Sequence, residues 1–223
     1  MALAQLAVFV RPPAEGSAKT RLAELLGARG AAALYAAFVE DILRLCERVH
    51  AAGRVDIALW STRPNDDVVS SWASRLGTTT RLQPQGDLGV KMGAAFEYGL
   101  QRYERIVIIG SDLPTLPIEL IASAFDALEN APLVLGPAND GGYYAVGAAR
   151  NFRPSFEGVR WSTVHALRDT AEANASHRIA QIAPWYDIDV PRDLTLLRAH
   201  LSLDESAAPA TARCLAEIAR AQR

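Results

Sequence analysis

The sequence of 223 residues predicts one α/β domain with a mostly parallel sheet and helices on both faces of that sheet. Two observations support this expectation. Short apolar runs without polar alternation, such as 106–109, are typical of strands that are buried on both faces. These runs alternate with longer segments whose apolar residues recur at helical spacing, and this alternation favours parallel strands joined by right-handed helical crossovers.

The first half of the chain is divided by short apolar strands and polar turns. A long helix is expected over 30–52, because Leu34, Phe38, Ile42 and Leu45 have the spacing of one buried helix face. The elements expected before the central strand are a strand at 6–10, a loop at 11–22, this long helix, a strand at 55–60, a helix at 68–76, a strand at 78–82 and a helix ending at residue 100.

In the second half of the chain, prolines and helix-capping residues mark where the expected helices and strands begin or end. Pro114 and Pro117 prevent strand pairing after the central strand, so a helix is expected from Ile118. Ser162 or Thr163 is expected to cap a helix at its N-terminus. The further elements are helices at 118–128, 164–173, from about 190 to about 200 and 210–220, and strands at 133–136, 143–146 and 178–182.

We expect one domain over residues 1–203, with 204–223 as a linker and a C-terminal helix packed on it. A net charge near −2 gives no reason to expect binding to nucleic acid or to an anionic membrane. No apolar run approaches the roughly 20 residues of a membrane span, and the N-terminus lacks a basic leader. Cys46 and Cys214 fit small hydrophobic residues in a reducing compartment, so a cytoplasmic protein is expected.

Asp112 follows the central strand directly, after Gly110 and Ser111. Ligands of open parallel α/β sheets bind just beyond the carboxyl ends of the strands, so a carboxylate here is a candidate ligand for a metal or substrate. The alternative is a turn or helix-capping aspartate.

Lys19 and Arg21 lie where the loop after the first strand is expected to lead into a helix. A helix N-terminus with free amides and two cations suits a phosphate group. The stretch is not a Walker A loop, because Ala18 precedes Lys19 and no glycine lies six positions back. The alternative is a pair of solvated charges on a first helical turn.

Two glycine-containing loops are further candidates for ligand contact. Gly86 permits close approach of the backbone, Asp87 can cap the following helix, and Lys91 lies near that helix's start, where a cation is not favoured by the dipole. The stretch 139–142 has good tight-turn chemistry, so Asp140 either turns a hairpin or faces a substrate.

The loops after the strands should gather at one edge of the sheet and bring Lys19 and Arg21 near Asp112 and Asp140. Cations together with one or two carboxylates suit a nucleotide diphosphate with a divalent metal. From the residues alone, the prediction is a phosphate-binding α/β protein.

Six motifs in order resemble a known family. They are Pro12-Pro13…Gly16…Lys19-Thr-Arg-Leu22, Gly86-Asp-Leu-Gly89…Met92, Gly110-Ser-Asp-Leu-Pro114, Pro137…Asp140-Gly-Gly-Tyr143, Trp161-Ser-Thr163 and Asp187-Ile-Asp189…Asp193. Together they resemble GT-A-type nucleotide-diphospho-sugar transferases, in the group labelled radical-SAM/selenodomain-associated or arsenosugar-biosynthesis glycosyltransferase-like. The resemblance spans residues 4–200 and implies a Rossmann-like GT-A domain with a single mixed sheet.

The resemblance also implies roles for individual residues. Ser111-Asp112 would take the place of the D-x-D motif, with Asp112 binding Mg²⁺ or Mn²⁺. Because Ser111 departs from that motif, a second metal ligand is needed, and Asp189 has the corresponding position, with Asp187 in reserve. The expected nucleotide and phosphate contacts are Arg11, Lys19, Arg21, Gly86, Asp87, Lys91 and Ser111.

Glycosyl transfer from a nucleotide-diphospho-sugar to a small acceptor is the first functional hypothesis. Asp140 is the candidate base, and Gly141, Gly142, Tyr143 and Trp161 are candidates for the sugar or acceptor side, although Trp161 is more often a core residue. A homodimer is possible, because the helical faces can be buried within one subunit or between two.

Nucleotidyl transfer is the alternative, as in phospholactate or molybdenum-cofactor guanylyltransferases. The stretch Lys19–Leu22 also resembles the phospholactate enzymes, but the usual G-x-G-x-R-M start is missing after Val10. Asp189 has its own alternative as a helix cap before Pro191. A nucleotide-binding protein without turnover is the third class.

Overall fold

The structure is a computed structural model that describes residues 3–14, 16, 18–53 and 55–221. One sheet of seven strands forms its centre, in the order β3-β2-β1-β4-β6-β5-β7. The strands are β1 (Ala4–Val10), β2 (Val55–Ser61), β3 (Thr80–Leu82), β4 (Arg105–Ile109), β5 (Leu133–Pro137), β6 (Tyr143–Ala149) and β7 (Ile179–Gln181). The helices are α1 (Thr20–Ala51), α2 (Asp67–Arg75), α3 (Leu88–Leu100), α4 (Ile118–Ala127), α5 (Ala166–Ala173), α6 (Asp193–Leu203) and α7 (Pro209–Ala221).

Strand direction confirms the predicted mostly parallel, mixed α/β sheet. Strand β6 runs antiparallel to both of its neighbours, β4 and β5, whereas the other pairs are parallel. The chain moves outward from β1 to β2 and β3, then returns to place β4 on the other side of β1. A crevice opens at such a reversal of strand order, beyond the carboxyl ends of the two strands. The loops after β1 and β4 border this crevice.

The core lies on both faces of the sheet. Strand β4 shows why its sequence is apolar throughout: Val107 and Ile109 pack with the buried side of α1, whereas Ile106 and Ile108 pack with α3. The central strand is therefore shielded from water on both faces, as its unbroken apolar run predicts.

Helix α1 begins at Thr20, ten residues earlier than predicted. Gly27 interrupts it with φ 71° and ψ 162°, a conformation that glycine adopts without steric cost. Leu22 and Leu26 are four residues apart on one face of the turns before Gly27, and both are buried in the core, so tertiary packing holds this short segment helical. The prediction of a loop up to residue 22 was wrong, because the chain is helical from Thr20. The predicted helix over 30–52 agrees closely with the part of α1 that follows the break at Gly27.

Helix α5 begins at Ala166, and its N-cap position is His165. The prediction that Ser162 or Thr163 caps this helix was therefore wrong. Ser162 instead has a left-handed backbone with φ 59°, and the Thr163 hydroxyl accepts a hydrogen bond from the His165 amide at 3.2 Å. Both residues belong to the loop that precedes the helix.

The C-terminal helix α7 is fastened to α1 by one buried carboxylate. Asp41 Oδ1 accepts from the Ala210 amide at 3.0 Å, and Asp41 Oδ2 accepts from the Thr211 amide at 2.8 Å. Asp41 thus satisfies two of the amides that a helix N-terminus leaves free. The linker before α7 contains a 3-10 helix at Glu205–Ala207.

Among the described helices, only α1 is long and apolar enough to cross a membrane, judged by length and composition. Core helices of soluble proteins and N-terminal signal sequences meet the same criterion, so the finding is weak evidence of a span.

Candidate active site

Three charged side chains meet in the crevice between β1 and β4. Lys19 Nζ donates to Asp112 Oδ2 at 3.0 Å and makes a still shorter contact with Asp189 Oδ1. The Lys19 side chain is 8 % exposed, whereas those of Asp112 and Asp189 are 32 % and 44 % exposed. A buried ammonium therefore joins two carboxylates that remain accessible to a ligand.

The position of Lys19 follows from an unusual backbone. Lys19 is the N-cap residue of α1 and has a left-handed conformation, with φ 49° and ψ 48°. A non-glycine residue in this region costs about 1–3 kcal/mol and is found most often at functional sites. The backbone of Lys19 leads the chain from the loop into α1, and its side chain crosses to the end of β4.

Asp112 is held by the turn that ends β4. A Cβ atom at Gly110 would lie 2.5 Å from Asp112 Oδ1, so only glycine leaves room for this carboxylate. The Asp112 carbonyl accepts a hydrogen bond from the Ile188 amide at 3.0 Å, which ties the segment 187–189 to the end of β4. This backbone contact brings Asp189 to the same cation as Asp112.

Asp189 does not cap α6, so that alternative was wrong. The helix begins at Asp193, whose Oδ2 atom accepts from the amides of Asp189 and Val190 at 2.9 and 2.8 Å. Asp193 therefore fixes the backbone of this turn, and the Asp189 carboxylate is left to pair with Lys19.

Burial and charge pairing shift the pKa values of Lys19 and Asp112 in opposite directions. Burial lowers the pKa of Lys19, but the charges of Asp112 and Asp189 outweigh it, so the pKa of Lys19 is raised. Burial raises the pKa of Asp112, but the attraction of Lys19 outweighs it and the pKa of Asp112 is lowered. Burial and the nearby charges of Asp112, Asp189 and Asp140 raise the pKa of Asp187 to about 7. The crevice thus has an excess of negative charge.

A buried tyrosine forms hydrogen bonds with both loops, a role that was not predicted from the sequence. The Tyr35 hydroxyl lies 2.8 Å from Ser111 Oγ and accepts a hydrogen bond from the Arg11 amide at 3.1 Å. Tyr35 therefore joins the loop after β1 to the loop after β4. Ser111, a predicted nucleotide contact, is buried at 5 % exposure and has this tyrosine as a partner. Tyr35 lies on the predicted buried stripe of α1, where nothing distinguishes it from a core residue.

Arg21, Asp87 and Lys91 lie apart from the three charged residues. Arg21 is exposed on the first turn of α1. Asp87 caps α3, as predicted, by accepting from the Val90 amide at 2.9 Å. Within the part of the chain that the structure describes, no ion pair links any of the three to Asp112 or Asp189.

The loop between β5 and β6, which carries Asp140, follows the end of strand β5. Asp140 is exposed, and its Oδ1 atom accepts from the Gly142 amide at 2.8 Å, as in a tight turn. Gly141 has φ 89°, and a Cβ there would lie 2.4 Å from the Val164 carbonyl oxygen. The Gly141 carbonyl accepts from the Leu167 amide at 3.0 Å, so this loop is bound to the first turn of α5.

Aromatic side chains extend from this loop toward α3. Tyr143 and Trp161 meet edge to face with ring centroids 6.4 Å apart, and Trp161 lies 5.9 Å from Phe156. A Cβ at Gly89 would lie 2.8 Å from Phe156 Cβ and 3.1 Å from Trp161 Cζ2, so the start of α3 packs directly on this group. Trp161 thus connects the loop of Gly86 and Asp87 to that of Asp140.

A family model matches residues 45–163, which is more than half of the 223 residues. Its description is "Uncharacterized protein conserved in bacteria (DUF2064)". The chain belongs to this family. The matched part includes Asp112, Asp140 and Trp161, whereas Lys19 and Asp189 lie outside it. No curated protein matches the sequence.

Solved structures place this DUF2064 chain among nucleotide-handling folds. A protein of Desulfovibrio desulfuricans G20, provisionally described as a nucleotide-diphospho-sugar transferase, is 29 % identical, with a TM-score of 0.85 over 99 % of this chain and 98 % of its own. A cytidylyltransferase from Leptospira borgpetersenii serovar Hardjo-bovis (strain JB197) is 13 % identical, with a TM-score of 0.60 over 100 % of this chain and 96 % of its own. The 4-diphosphocytidyl-2C-methyl-D-erythritol synthase of Anaerococcus prevotii DSM 20548 is 10 % identical, with a TM-score of 0.60 over 90 % and 99 %.

The resemblance to GT-A-type nucleotide-diphospho-sugar transferases is confirmed at the level of family and fold. The two more distant likenesses, below 25 % identity, show the fold alone. This DUF2064 protein therefore has the fold shared by glycosyl and nucleotidyl transferases, with its charged cluster at the switch point of the sheet.

Proposed function

We propose that the protein is a metal-dependent glycosyltransferase that uses a nucleotide-diphospho-sugar donor and a small-molecule acceptor. The observation that carries the proposal is the meeting of Asp112 and Asp189 on one cation in the crevice. The 29 % identity over almost the whole chain to a protein described as a nucleotide-diphospho-sugar transferase supports the same donor class.

Asp112 and Asp189 fit a Mg²⁺ or Mn²⁺ ion by the chemistry of their oxygens. Two accessible carboxylates converge on one cation, and such hard oxygen ligands are those that Mg²⁺ prefers. Among the described residues, no group of three or more His, Cys, Asp or Glu side chains is arranged to hold a metal ion. The donor's phosphate oxygens would therefore complete the coordination, as is common for Mg²⁺ sites with one or two carboxylates.

The donor's diphosphate would lie at the N-terminus of α1. Lys19 would donate to a phosphate oxygen, and Arg21 and Arg11 add positive charge at the same end of the helix. When bound, the divalent ion neutralises charge on the departing diphosphate, which is the largest catalytic contribution expected here. The loop between β3 and α3, with Gly86 and Asp87, would contact the nucleotide together with Lys91 of α3.

Asp140 is the base that we propose for the acceptor. It is exposed at the tip of the β5–β6 loop, and its charge is close enough to act on Asp187 in the crevice. The absence of a side chain at Gly142 lets the Asp140 carboxylate fold back over the turn, since a Cβ there would lie 3.1 Å from Oδ1. Tyr143 and Trp161 would offer aromatic ring surfaces to a sugar or acceptor. Asp140 would take the proton of the acceptor hydroxyl as that oxygen attacks the sugar carbon.

Nucleotidyl transfer is the second candidate because of the stretch that carries Lys19. The stretch Lys19-Thr-Arg-Leu22 resembles one near the start of phospholactate guanylyltransferases, and in that reaction Lys19 and Arg21 would face a leaving pyrophosphate. The two reactions need the same carboxylates but different donors, so the donor decides between them.

A thermal-shift panel separates the candidates. The protein is heated with Mn²⁺ or Mg²⁺ and a nucleoside diphosphate, a diphospho-sugar or a nucleoside triphosphate. A ligand at about 100 times its dissociation constant adds about 2.7 kcal/mol to the free energy of unfolding, which is readily measured. Metal-dependent stabilisation by one diphospho-sugar supports the glycosyltransferase, and preference for a triphosphate supports nucleotidyl transfer. If no nucleotide stabilises the folded protein, the proposed function is wrong.

A further inference from the structure

The ammonium of Lys19 lies between the two carboxylates that we propose as metal ligands. It donates to Asp112 Oδ2 at 3.0 Å and contacts Asp189 Oδ1 more closely. Mg²⁺ binds carboxylate oxygens at about 2.0–2.1 Å, so an ion held by the same two oxygens would lie where the ammonium now lies. The two cations therefore exclude each other.

The ammonium is fixed in this position by its surroundings. The Lys19 side chain is 8 % exposed, and its backbone has the left-handed conformation that directs it across the crevice. The carboxylates, at 32 % and 44 % exposure, can be reached by an ion from solvent without unfolding of either loop. The Lys19 ammonium is thus shielded from solvent, whereas the two carboxylates that it contacts are accessible to an incoming ion.

A second destination for the ammonium lies beside the first. Lys19 is the N-cap residue of α1, where the free amides and the helix dipole attract an anion. A phosphate bound there would accept from an ammonium released by the carboxylates. Lys19 has four rotatable side-chain bonds, so this change needs no backbone movement.

We infer that Lys19 is an internal counter-ion that a divalent metal must displace, and that the displaced ammonium then binds the donor phosphate. This inference rests on the proposed function, since it takes Asp112 and Asp189 as the metal ligands. In the free protein the ammonium neutralises one of the two negative charges. After exchange the divalent ion neutralises both, and the ammonium adds its charge to the phosphate site.

The exchange links the two ligands thermodynamically. Metal bound without phosphate must break the ion pairs of Lys19 and leave the ammonium with no anionic partner. Phosphate bound without metal must compete with two carboxylates for the same ammonium. Each ligand therefore tightens the other, and this coupling is reciprocal. Metal alone should bind weakly to the wild-type protein.

The first test measures Mn²⁺ binding to the protein without any nucleotide, from the electron paramagnetic resonance signal of free Mn²⁺. Lys19→Met keeps the length of the side chain and removes its charge, so we expect Mn²⁺ to bind about tenfold or more tightly than to the wild type. Arg48→Met is the matched control, because it removes one exposed positive charge near the C-terminal end of α1, whereas Lys19 lies at its N-terminus. Its Mn²⁺ affinity should equal that of the wild type.

The inference is wrong if Lys19→Met binds Mn²⁺ as weakly as the wild type or more weakly. It is also wrong if neither protein binds Mn²⁺. Circular dichroism melting shows whether the variant is folded at the temperature of the titration. Because no nucleotide is present, these results do not depend on the donor. Failure of every nucleotide in the thermal-shift panel would contradict the proposed function and leave the Mn²⁺ result standing.

A second measurement uses the wild-type chain, so it does not depend on the folding of a variant. The chain has only two lysines, Lys19 and Lys91, so labelling lysine with ¹³C at Cε gives two side-chain NMR signals. Addition of Mg²⁺ alone should shift the Lys19 signal as the ammonium leaves the carboxylates, while that of Lys91 stays in place. Displacement of bound Mn²⁺ by Mg²⁺ shows the concentration at which Mg²⁺ occupies the site. If the Lys19 signal does not shift at that concentration, the inference is wrong.

Discussion

Asp112 combines a fixed backbone with an accessible carboxylate. Its carbonyl is bonded to the Ile188 amide, Gly110 leaves room for its side chain, and Lys19 holds one carboxylate oxygen. The side chain is still 32 % exposed, so it can exchange its partner for a ligand. This combination of a fixed backbone and an accessible carboxylate is what the proposed role of Asp112 as a metal ligand requires.

Asp112→Asn should abolish metal-dependent nucleotide binding and leave the fold intact, because an amide lacks the charge that a divalent ion requires. The stabilisation by Mn²⁺ with nucleotide, about 2.7 kcal/mol for wild type near 100 times the dissociation constant, should disappear. Thermal melting with and without ligand measures it. Asp126→Asn on the exposed side of α4 is the control and should behave as wild type. An unchanged metal requirement in Asp112→Asn would remove the residue from this role.

Replacement of both Lys19 and Arg21, by Met and Gln, should weaken nucleoside diphosphate binding by about 3–6 kcal/mol, because charge-assisted hydrogen bonds contribute about 1.5–3 kcal/mol each. Isothermal titration in saturating Mn²⁺ measures the change. The exposed pair Arg29 and Arg48, replaced on the same helix by Gln and Met, is the matched control. A double variant that binds as tightly as this control would show that Lys19 and Arg21 do not bind the nucleotide.

Residue-level patterns predicted local roles better than long-range partners. Asp87 was predicted to cap a helix, and it does, because a cap needs only the next three residues. Asp189 had the same local pattern, yet Asp193 binds the turn amides instead. Lys19 was predicted to lie at a helix start and near Asp112, as it does, but its contact with Asp189, 170 residues away, was not predicted from these local patterns. Such pairs depend on which strands become neighbours.

At the scale of elements, α7 depends on a residue of α1. Asp41→Ala would remove both acceptors of the Ala210 and Thr211 amides and leave the first turn of α7 unsatisfied. We expect a loss of about 1–3 kcal/mol in the free energy of unfolding, measured with urea. Asp126→Ala, at an exposed helical position, should change it by less than about 0.5 kcal/mol. An equal loss in both variants would contradict the role of Asp41.

Helix α1 shows why element boundaries were harder to predict than element types. Most strands and helices were placed correctly because their apolar spacing is a local property. The first turns of α1 contain two glycines, at 27 and 30, and look like a loop in the sequence. The turns before Gly27 are helical and carry Leu22 and Leu26, which are buried in a core that only the folded chain supplies, whereas Gly27 itself breaks the helix.

At the scale of the whole molecule, the ion pair of Arg160 and Asp169 should contribute to the loss of folding stability in acid. Asp169 accepts from Arg160 Nε at 2.8 Å and Nη2 at 2.7 Å, which holds the pKa of Asp169 well below its usual range. A lowered pKa contributes stability above the unfolded value of about 3.9, and this contribution is lost as the pH falls below it. The difference in stability between wild type and Asp169→Asn should therefore shrink as the pH falls from about 5 toward 2.

Urea unfolding at several pH values measures this difference. Asp126→Asn should differ from wild type by a nearly constant amount over the same range. A constant difference for Asp169→Asn as well would show that the pair does not contribute to acid stability.

The order of the strands is the property of the whole molecule that local patterns predicted least. Alternation of strands and helices predicted a mostly parallel sheet, but not that β1 would lie beside β4. That neighbour relation creates the crevice and brings Lys19 to Asp112. Charge and periodicity contain no information about this strand order, and the family resemblance implied only a GT-A domain with a single mixed sheet.

The two outer strands of the sheet, β3 and β7, are only three residues long each. A second copy of the chain could therefore add no more than a very short backbone ladder at either margin, and short margins are a common protection against unwanted strand-to-strand association. If two copies of this protein pair, side-chain contacts and not an extended backbone ladder would have to hold them together. Mutations that test such a pair are thus to be sought among exposed side chains, away from the hydrogen-bonding groups of the sheet.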